Sequence, residues 1–365
     1  MKILHVLPSL AVGGMERMVI HLAADATAHG DSVTVASGPG IWVERAAAAG
    51  AAHFALPVTT RRAAFGMAAA TAGLARCIRQ VRPDVVHAHN IRAALLARLA
   101  LTAARHRAAL LPTLHGLAPG DYRAASHALR LIAGRVIACA PSVARSLNEA
   151  GFPGDRIDVI TNGAVLQPAG LQRQAELRSS LQLGPAPVVV GIGRLVRQKN
   201  WPVFVEAAGY LPGPSFVVAG EGPLHAELVG LAAASGGRVR FVGLIDDVAA
   251  LLGLARCVVF TSSWEGLPLT LLEALSLGVP AVATAVDGVT DVVPPGAALL
   301  VPPGDPRAVA GAVARVLSDD GLASDLRREA LAAAARWGPE RMLAEYRRAY
   351  RAAVAGEPYR AGGAG

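Results

Sequence analysis

Two glutamates separated by seven residues stand where an apolar strand gives way to a helix. Glu265 lies in a short loop after the strand CVVF, and Glu273 lies in a helix that begins near Pro268, because proline suits a first helical turn. Helical side chains lean toward the N-terminus, so both carboxylates can contact one ligand. Between them, the unpaired amides near Leu269 and Thr270 and the positive end of the helix dipole form an anion site. The pattern predicts an anionic ligand flanked by hydroxyl groups.

A structural alternative exists for the helix taken alone. Thr270, Glu273 and Ser276 could form the solvated stripe of an amphipathic helix whose leucines face the core. This alternative explains Glu273 by itself. The joint pattern of two carboxylates about an anion site favours ligand binding.

Two basic residues, Arg194 and Lys199, follow the predicted strand VVVGI. Parallel strands end at one edge of their sheet, so we expect these cations on the same rim as Glu265. Charged residues at this place belong either to a site or to a solvated loop, and the residues alone do not decide between the two. Asn200 is predicted to cap the helix that follows.

The segment EGLPLTLLE resembles the Glu-x7-Glu signature of retaining, nucleotide-sugar-dependent glycosyltransferases of family 4. GRLVRQKN resembles the paired cations of that family, and GEGP resembles its base-side loop. These motifs occur in the expected order over nearly the whole chain. The resemblance implies the α/β GT-B fold, in which two Rossmann-like, doubly wound parallel-sheet domains face a central cleft.

The resemblance also implies a role for each matching residue. Arg194 and Lys199 would hold the α- and β-phosphates of the donor, and Glu273 would bind its ribose. Glu265 would contact the transferred sugar or its developing oxocarbenium charge, and His115 would lie beside that sugar. We therefore expect His115, Arg194, Lys199 and Glu265 to be catalytic. The expected donor site comprises Gly14, Gly193, Arg194, Lys199, Gly222, Glu265, Gly266, Leu267, Leu269, Thr270 and Glu273.

In the first half of the chain, Gly13 and Gly14 lie between the strand KILHVLP and a helix, where glycine lets the backbone approach a ligand. The resemblance places the Gly14 amide near the donor diphosphate. The fingerprint GxGxxG is absent, so no NAD site is inferred. Gly13, Glu16 and His89 are candidates for the acceptor side, although a carboxylate in the first helical turn also explains Glu16.

Histidines end two of the predicted strands, and HAH at residues 87–89 could suggest a metal pair. No third ligand accompanies it at a sensible spacing, and no Asp-x-Asp occurs in the sequence. A leaving diphosphate needs its charge neutralised, which Arg194, Lys199 and the helix N-terminus near Leu269 can do in place of a metal. We therefore expect no metal and no cofactor, with the nucleotide sugar as a substrate.

Strands alternating with helices predict parallel, doubly wound sheets. We expect a first domain over residues 1–168, a polar connection over 169–186 and a second domain over 187–338. By resemblance, a last helix over 339–356 crosses back to the first domain. Two departures from the family pattern leave domain closure and the lining of the donor pocket open. Asn162, Gly163, Ala164 and Val165 replace Asn-Gly-Val-Asp, and Asp287, Gly288 and Asp291 stand where Gly-Gly-x-x-Glu is usual.

The basic excess of the chain is confined to one half. Residues 1–168 hold 17 Lys and Arg against 9 Asp and Glu, whereas residues 169–365 hold 18 of each kind. The imbalance indicates an anionic partner such as a membrane surface or a phosphorylated acceptor, with a randomly basic surface as the equal alternative. No nucleic-acid-binding module is recognised. No apolar run reaches the length of a membrane span and no signal peptide is recognised, so we expect a cytoplasmic protein, with peripheral contact to the inner membrane face left open.

The sequence thus predicts a retaining, metal-independent hexosyltransferase that uses a nucleotide sugar, with UDP favoured on family frequency. Its acceptor would be a glycan or lipid-linked glycan in cell-surface polysaccharide or glycolipid assembly, and a small-molecule metabolite is the alternative. Two other functions are weighed below these, a sugar-nucleotide epimerase and a non-catalytic nucleotide-sugar-binding protein.

Overall fold

The structure is a computed structural model that describes residues 1–11, 13–57, 63–164 and 166–359. It divides into two compact units, Met1–Asn162 with Glu340–Gly365, and Gly163–Pro339. The stretch 169–186, expected to connect the domains, lies inside the second unit. Val165, one of the departures noted above, lies outside the described residues.

The first unit contains a seven-stranded sheet in which every pair of neighbouring strands is parallel. Its strands are β1 (Lys2–Ser9), β2 (Ser32–Gly38), β3 (Ala52–Ala55), β4 (Val85–Ala88), β5 (Ala109–Leu114), β6 (Val136–Ala138) and β7 (Ile157–Val159). Their order across the sheet is β3-β2-β1-β4-β5-β6-β7.

Helices of the first unit are α1 (Gly14–Ala28), α2 (Val43–Ala48), α3 (Ala63–Val81), α4 (Ile91–Ala104), α5 (Tyr122–Ile132), α6 (Pro141–Glu149) and the C-terminal α15 (Pro339–Ala355). β1 is buried almost throughout because it lies in the middle of the sheet, as the apolar run KILHVL predicts. One apolar stripe of α15, which includes Met342, Tyr346 and Tyr350, joins the same core as β1 and α1.

The second unit contains a six-stranded parallel sheet of order β10-β9-β8-β11-β12-β13. Its strands are β8 (Val188–Ile192), β9 (Ser215–Ala219), β10 (Val239–Phe241), β11 (Ala255–Phe260), β12 (Ala281–Thr284) and β13 (Leu299–Val301). Its helices are α7 (Leu171–Ser180), α8 (Trp201–Gly209), α9 (His225–Ala234), α10 (Val248–Leu254), α11 (Leu269–Ser276), α12 (Asp287–Thr290), α13 (Pro306–Ser318) and α14 (Asp320–Ala333).

The predicted cap at Asn200 is wrong. Asn200 precedes α8, but its backbone is left-handed, with φ 48° and ψ 47°, and its side chain makes no capping hydrogen bond. Asparagine tolerates this conformation better than most residues, so Asn200 serves the turn between Lys199 and α8 rather than the helix end.

None of the helices in the described ranges combines the length and the apolarity that crossing a bilayer requires. The cysteines Cys77, Cys139 and Cys257 are buried, as expected of core thiols. Burial raises the pKa of the Cys77 thiol to about 11 and that of Cys257 to about 12, so both side chains stay protonated at neutral pH.

Candidate active site

The strand order of the second unit reverses between β8 and β11. From β8 the chain builds one half of the sheet through β9 and β10, and from β11 it builds the other half through β12 and β13. In open parallel sheets, ligands bind beyond the carboxyl ends of the strands at such a reversal. The loops after β8 and β11 carry Lys199 and Glu265, so two predicted catalytic residues meet at this point.

Four side chains form a hydrogen-bonded group there, Gln198, Lys199, Ser262 and Glu265, which we call the rim cluster. Lys199 Nζ donates to Glu265 Oε1 at 2.5 Å, and Ser262 Oγ donates to the same oxygen at 2.6 Å. Gln198 Nε2 donates to Oε2 at 3.3 Å. The side chain of Glu265 is only 5% exposed and that of Lys199 19%, so the ion pair is shielded from water. Lys199 is held in the site, whereas Arg194 is exposed.

The backbone beside Arg194 is fixed although its side chain is free to reach solvent. Trp201, which is buried, donates from Nε1 to the carbonyl of Arg194 at 2.9 Å. Gly193, at φ 156°, is in a conformation that favours glycine. A Cβ on Gly222 would collide with the backbone of Leu195. The loops after β8 and β9 therefore pack backbone against backbone, which explains two glycines that the sequence reading assigned to the donor.

Glu273 is buried in α11, with 3% of its surface exposed, and Leu272 and Ala274 beside it are buried too. The alternative of a solvated stripe is therefore wrong for this residue. A buried carboxylate persists only where polar or charged partners compensate it. Ser276, on the same helix, donates to the Glu273 carbonyl at 2.8 Å and accepts from the Leu166 amide at 3.2 Å.

The start of α11 is where the anion site is predicted. Pro268 precedes the first helical residue, Leu269, and its carbonyl accepts from the Leu271 amide at 2.9 Å. The side chains of Leu267 and Leu269 pack against the core of the second unit, so their contribution to a ligand would come from the backbone. Thr270 is partly exposed.

Gly288 supports the loop that carries Glu265. A Cβ at Gly288 would lie 2.5 Å from the carbonyl oxygen of Gly266 and 2.6 Å from that of Glu265. No side chain fits in that space. Although Asp287 and Asp291 depart from the family pattern, the glycine between them retains a defined steric role.

In the first unit the strand order reverses between β1 and β4. Gly13 and Gly14 follow β1 at this point, and Gly13 is the residue before α1. The carboxylate of Glu16 lies directly over Gly13, so closely that a Cβ there would overlap it. Glu16 therefore sits at the positive end of the helix, as the helix-dipole explanation of this residue requires.

Four histidines gather at the same reversal point, His5, His87, His89 and His115, and we call them the histidine cluster. His5 pairs with His87 in the register of β1 and β4. The rings of His87 and His89 have centroids 3.9 Å apart, and His115 stacks on His89 at 6.0 Å. The two histidines predicted for the site, His89 and His115, are thus brought together. His5 was not anticipated, because strand register is not visible in the sequence.

Hydrogen bonds divide the ring nitrogens of the histidine cluster into partnered and unpartnered atoms. His5 Nδ1 pairs with His89 Nε2 at 3.0 Å. His87 pairs through Nδ1 with the Tyr350 hydroxyl at 2.8 Å and through Nε2 with Thr113 Oγ1 at 2.7 Å. Within the described residues, His5 Nε2, His89 Nδ1 and His115 Nε2 have no hydrogen-bond partner.

Nitrogen atoms of His5, His87 and His89 lie within 4.8 Å of one another, as in a set of metal ligands. Four of their six nitrogens are already engaged, however, and His87 is held by hydroxyl groups on both sides. His5 is thus a third possible ligand, which the spacing of the sequence did not reveal. A metal ion bound by all three histidines would have to displace one hydrogen bond of His87, because both nitrogens of that ring are engaged. The geometry favours a neutral polar network.

Burial keeps these histidines uncharged at neutral pH. It lowers the pKa of His5 to about 3 and that of His115 to about 4. The pKa values of His87 and His89 are held well below 6.5, first by burial and then by the neighbouring imidazoles. His115 could therefore accept or donate a hydrogen bond as a neutral ring.

The sequence matches two family profiles. Residues 12–167 match the family described as Glycosyltransferase Family 4, and residues 173–334 match Glycosyl transferases group 1. Between them the two matches cover most of the chain, and both sheets described above lie largely within them.

Two curated proteins are similar to parts of the chain. The alpha-D-kanosaminyltransferase of Streptomyces kanamyceticus is 33% identical over 159 residues, which are 41% of this chain and 41% of that protein. The lipopolysaccharide core biosynthesis glycosyltransferase LpsE of Rhizobium meliloti is 30% identical over 194 residues, 52% of this chain and 56% of that protein. The chain thus spans about half the length of these relatives.

The crystal structure of Anabaena HepE in complex with UDP and glucose is similar over nearly the whole chain. The TM-score is 0.85, and the match covers 96% of this chain and 99% of that chain at 21% sequence identity. This likeness shows the fold, and the predicted GT-B fold class is confirmed.

Proposed function

The chain belongs to the group 1 glycosyl transferases of family 4, and we propose that it moves a sugar from a nucleoside diphosphate sugar to an acceptor hydroxyl. The observation that carries the proposal is the shielded ion pair of Lys199 and Glu265 at the reversal point of the second sheet. A cation beside a carboxylate matches a donor in which an anionic diphosphate is joined to a sugar rich in hydroxyl groups.

Each group of the second unit has a place in this reaction. Lys199 and Arg194 bind the diphosphate together with the amides at the start of α11, and the negative charge that develops on the leaving group is stabilised there. Glu265 binds hydroxyls of the transferred sugar or stabilises its oxocarbenium charge. Glu273 binds the ribose diol.

We propose that transfer proceeds without a metal ion and with retention of the anomeric configuration. The cations and helix amides named above supply the charge that a metal would otherwise provide. The bond from the anomeric carbon to the phosphate oxygen breaks, the acceptor oxygen bonds to that carbon from the same face, and the acceptor proton leaves with the diphosphate. In the first unit, His115 serves the transferred sugar and the Gly14 amide serves the donor diphosphate. Gly13, Glu16 and His89 are the residues proposed for the acceptor.

UDP is the proposed nucleotide. The likeness to HepE, whose structure holds UDP and glucose, supports it. A cell-surface glycan or glycolipid is the proposed acceptor, as the name of LpsE suggests for that relative. The similarity to a kanosaminyltransferase keeps a small-molecule acceptor as the alternative.

The first experiment is a thermal-shift panel of UDP-, GDP- and ADP-sugars on the full chain, followed by turnover of the donor that binds. We expect UDP-sugars to raise the midpoint and the donor to be consumed with acceptor or, slowly, with water. NMR of the donor incubated alone separates transfer from epimerisation. Binding with no turnover of any kind would contradict the proposal and indicate a sensor.

Lys199→Ala tests the stabilisation of the leaving group. Loss of one such charge should remove about 2 to 4 kcal/mol of transition-state stabilisation and so lower kcat. Lys2→Ala, which removes the other lysine of the sequence from the exposed start of β1, is the matched control and should leave turnover unchanged.

Glu273→Gln should weaken binding of the donor. EDTA should change little, and loss of activity in EDTA with recovery in magnesium would refute metal-independent transfer.

We further propose that the protein works in the cytoplasm, in peripheral contact with the inner membrane face through its first unit. Two exposed leucines occur on helices of that unit, Leu99 on α4 and Leu131 on α5, which are exposed by 50% and 72%. Arg123 and Arg130 are exposed on the same helix as Leu131. Anionic headgroups attract such a surface, and the leucines add apolar contact.

A further inference from the structure

The carboxylate of Glu265 has a separate set of donors on each oxygen. Oε1 receives Lys199 Nζ at 2.5 Å and Ser262 Oγ at 2.6 Å, and Oε2 receives Gln198 Nε2 at 3.3 Å. With 5% of its side chain exposed, Glu265 depends on these donors rather than on water. Its orientation is therefore set by three neighbouring side chains.

Hydrogen bonds also fix the backbone positions of Ser262 and Gln198. The Ser262 carbonyl accepts from Thr284 Oγ1 at 2.6 Å, which ties the loop to the end of β12. The Gln198 carbonyl accepts from the Ser263 amide at 2.9 Å. Gln198 Nε2 also donates to the Trp264 carbonyl at 3.1 Å. The loop after β11 is thus bonded to the turn that carries Lys199, and the protein's own hydrogen bonds hold both neutral donors in place.

Lys199 differs from these two donors because it has two roles in the proposed reaction, pairing with Glu265 and binding the diphosphate. Its ammonium group compensates the charge of Glu265 in the ion pair described above. During transfer it has to face the diphosphate, and a lysine has the flexible stem that such a movement needs. When Lys199 turns to the phosphate, Glu265 loses its ion pair and keeps the hydroxyl of Ser262 and the amide of Gln198.

We propose that Gln198 and Ser262 are positioning residues for Glu265, which hold its carboxylate toward the sugar of the donor while Lys199 serves the diphosphate. The proposal rests on the function proposed above and assigns a role to two side chains outside the predicted site. On this proposal they bond to Glu265 and have no contact with the phosphates or the nucleoside. Their loss should therefore reduce turnover without reducing affinity for UDP, which lacks the sugar.

The test uses Ser262→Ala and Gln198→Ala in the full chain, with UDP-glucose as the donor and UDP as the binding probe. Hydrogen bonds to a charged group are strong, so we expect each variant to lower kcat by roughly 10- to 100-fold. The Kd for UDP, measured by calorimetry, should stay within about twofold, and the thermal midpoint should fall little. A scaffold role alone would lower the midpoint and weaken UDP binding together with turnover.

The matched control variants delete a serine hydroxyl and a glutamine amide whose side chains do not bond to Glu265. Ser263→Ala deletes an exposed hydroxyl from the next position of the loop. Gln172→Ala deletes an exposed glutamine that donates to Glu176 at 3.1 Å on α7. Both should keep the turnover of the unchanged protein. Gln198→Glu keeps the shape of the side chain but turns a donor into a second carboxylate, so it should lower kcat more than Gln198→Ala does.

Glu265→Gln, measured in parallel, separates the two proposals. If Glu265→Gln keeps full turnover, the role proposed for Glu265 fails. If Glu265→Gln loses turnover while Ser262→Ala and Gln198→Ala keep theirs, the proposed function stands and the positioning role is overturned. A Gln198→Glu variant as active as the unchanged protein would overturn it as well.

Discussion

At the scale of single residues, the histidine cluster shows how burial decides charge. His5 and His87 face one another across two central strands, and no carboxylate is among the groups that set their pKa values. The rings of Tyr346 and Tyr350 pack against these histidines, and burial raises the pKa values of both tyrosines, so they are neutral as well. The histidine cluster and the two tyrosines therefore form a buried group of neutral side chains beside β1 and β4.

This network predicts loss of stability in acid. The unfolded chain binds protons at these histidines below their usual pKa of 6.5, whereas folded His5 and His115 bind them only near pH 3 and 4. Stability is therefore fully present above pH 6.5 and falls as the pH drops from 6.5 toward 4. Each such histidine contributes a slope of up to about 1.4 kcal/mol per pH unit. Urea unfolding of the full chain at a series of pH values measures that slope.

Single substitutions identify the source of the slope. His5→Gln cannot take up a proton, so it should make the dependence shallower by about one histidine's share. An equal slope in the His5→Gln protein would show that His5 does not stay neutral in the fold.

The position of a residue could be predicted from the sequence where the direction of parallel strands alone decides it. Glu265 and Lys199 were placed on one rim because both follow strands of the same parallel sheet. The histidine cluster needed the register of β1 against β4, and the burial of Glu273 needed the packing around α11. Ser262 and Gln198 were overlooked because a serine or glutamine in a loop has no pattern of its own, and only contact with Glu265 distinguishes it.

At the scale of elements, α15 shows how a helix distant in sequence becomes part of a sheet's core. Its Tyr350 hydroxyl pairs with His87 Nδ1 at 2.8 Å. Its Tyr346 hydroxyl lies 3.4 Å from Thr113 Oγ1 and 3.9 Å from Met18 Sδ, both long contacts. Both rings are buried, so apolar contact holds the helix, and one good hydrogen bond aligns it with the histidine cluster.

Removing the two hydroxyls separately should therefore have unequal effects. Tyr350→Phe leaves His87 Nδ1 buried without a partner and should lower the free energy of unfolding by about 1 to 3 kcal/mol. Tyr346→Phe removes only long contacts and should cost less than about 0.5 kcal/mol. Urea unfolding of the full chain compares the two. Equal costs, or a larger cost for Tyr346→Phe, would contradict the assignment of the aligning bond to Tyr350.

The strands predicted at KILHVLP, VVVGI and CVVF are confirmed as β1, β8 and β11, because parallel core strands are short apolar runs between turns. Some helices have a weaker signal in the sequence. α2 and α12 are too short for helical periodicity, and α7 is polar with no buried residue, so it read as a connection. Between α13 and α14, Asp319 has an extended backbone and caps α14 by accepting from the Leu322 amide.

At the scale of the whole chain, the structure sharpens the charge asymmetry seen in the sequence. The first unit, with its C-terminal segment, holds 22 Lys and Arg against 12 Asp and Glu, whereas the second unit holds 13 against 15. The halves of the sequence understated this difference, because the basic segment after Glu340 belongs to the first unit. Contact with an anionic surface is thus a property expected of the first unit alone.

Vesicle binding tests that expectation. The full chain should sediment with phosphatidylcholine vesicles that contain phosphatidylglycerol and not with pure phosphatidylcholine, and high salt should weaken binding because it screens exposed charges. Arg123→Glu with Arg130→Glu reverses two charges on the exposed face of α5 and should abolish much of the binding. Arg315→Glu, at an exposed site on α13 of the second unit, is the control and should bind as before. If neither salt nor the α5 substitutions change vesicle binding, the basic excess is not a membrane-binding surface. It would then serve solubility, since net charge keeps a protein dispersed without any partner.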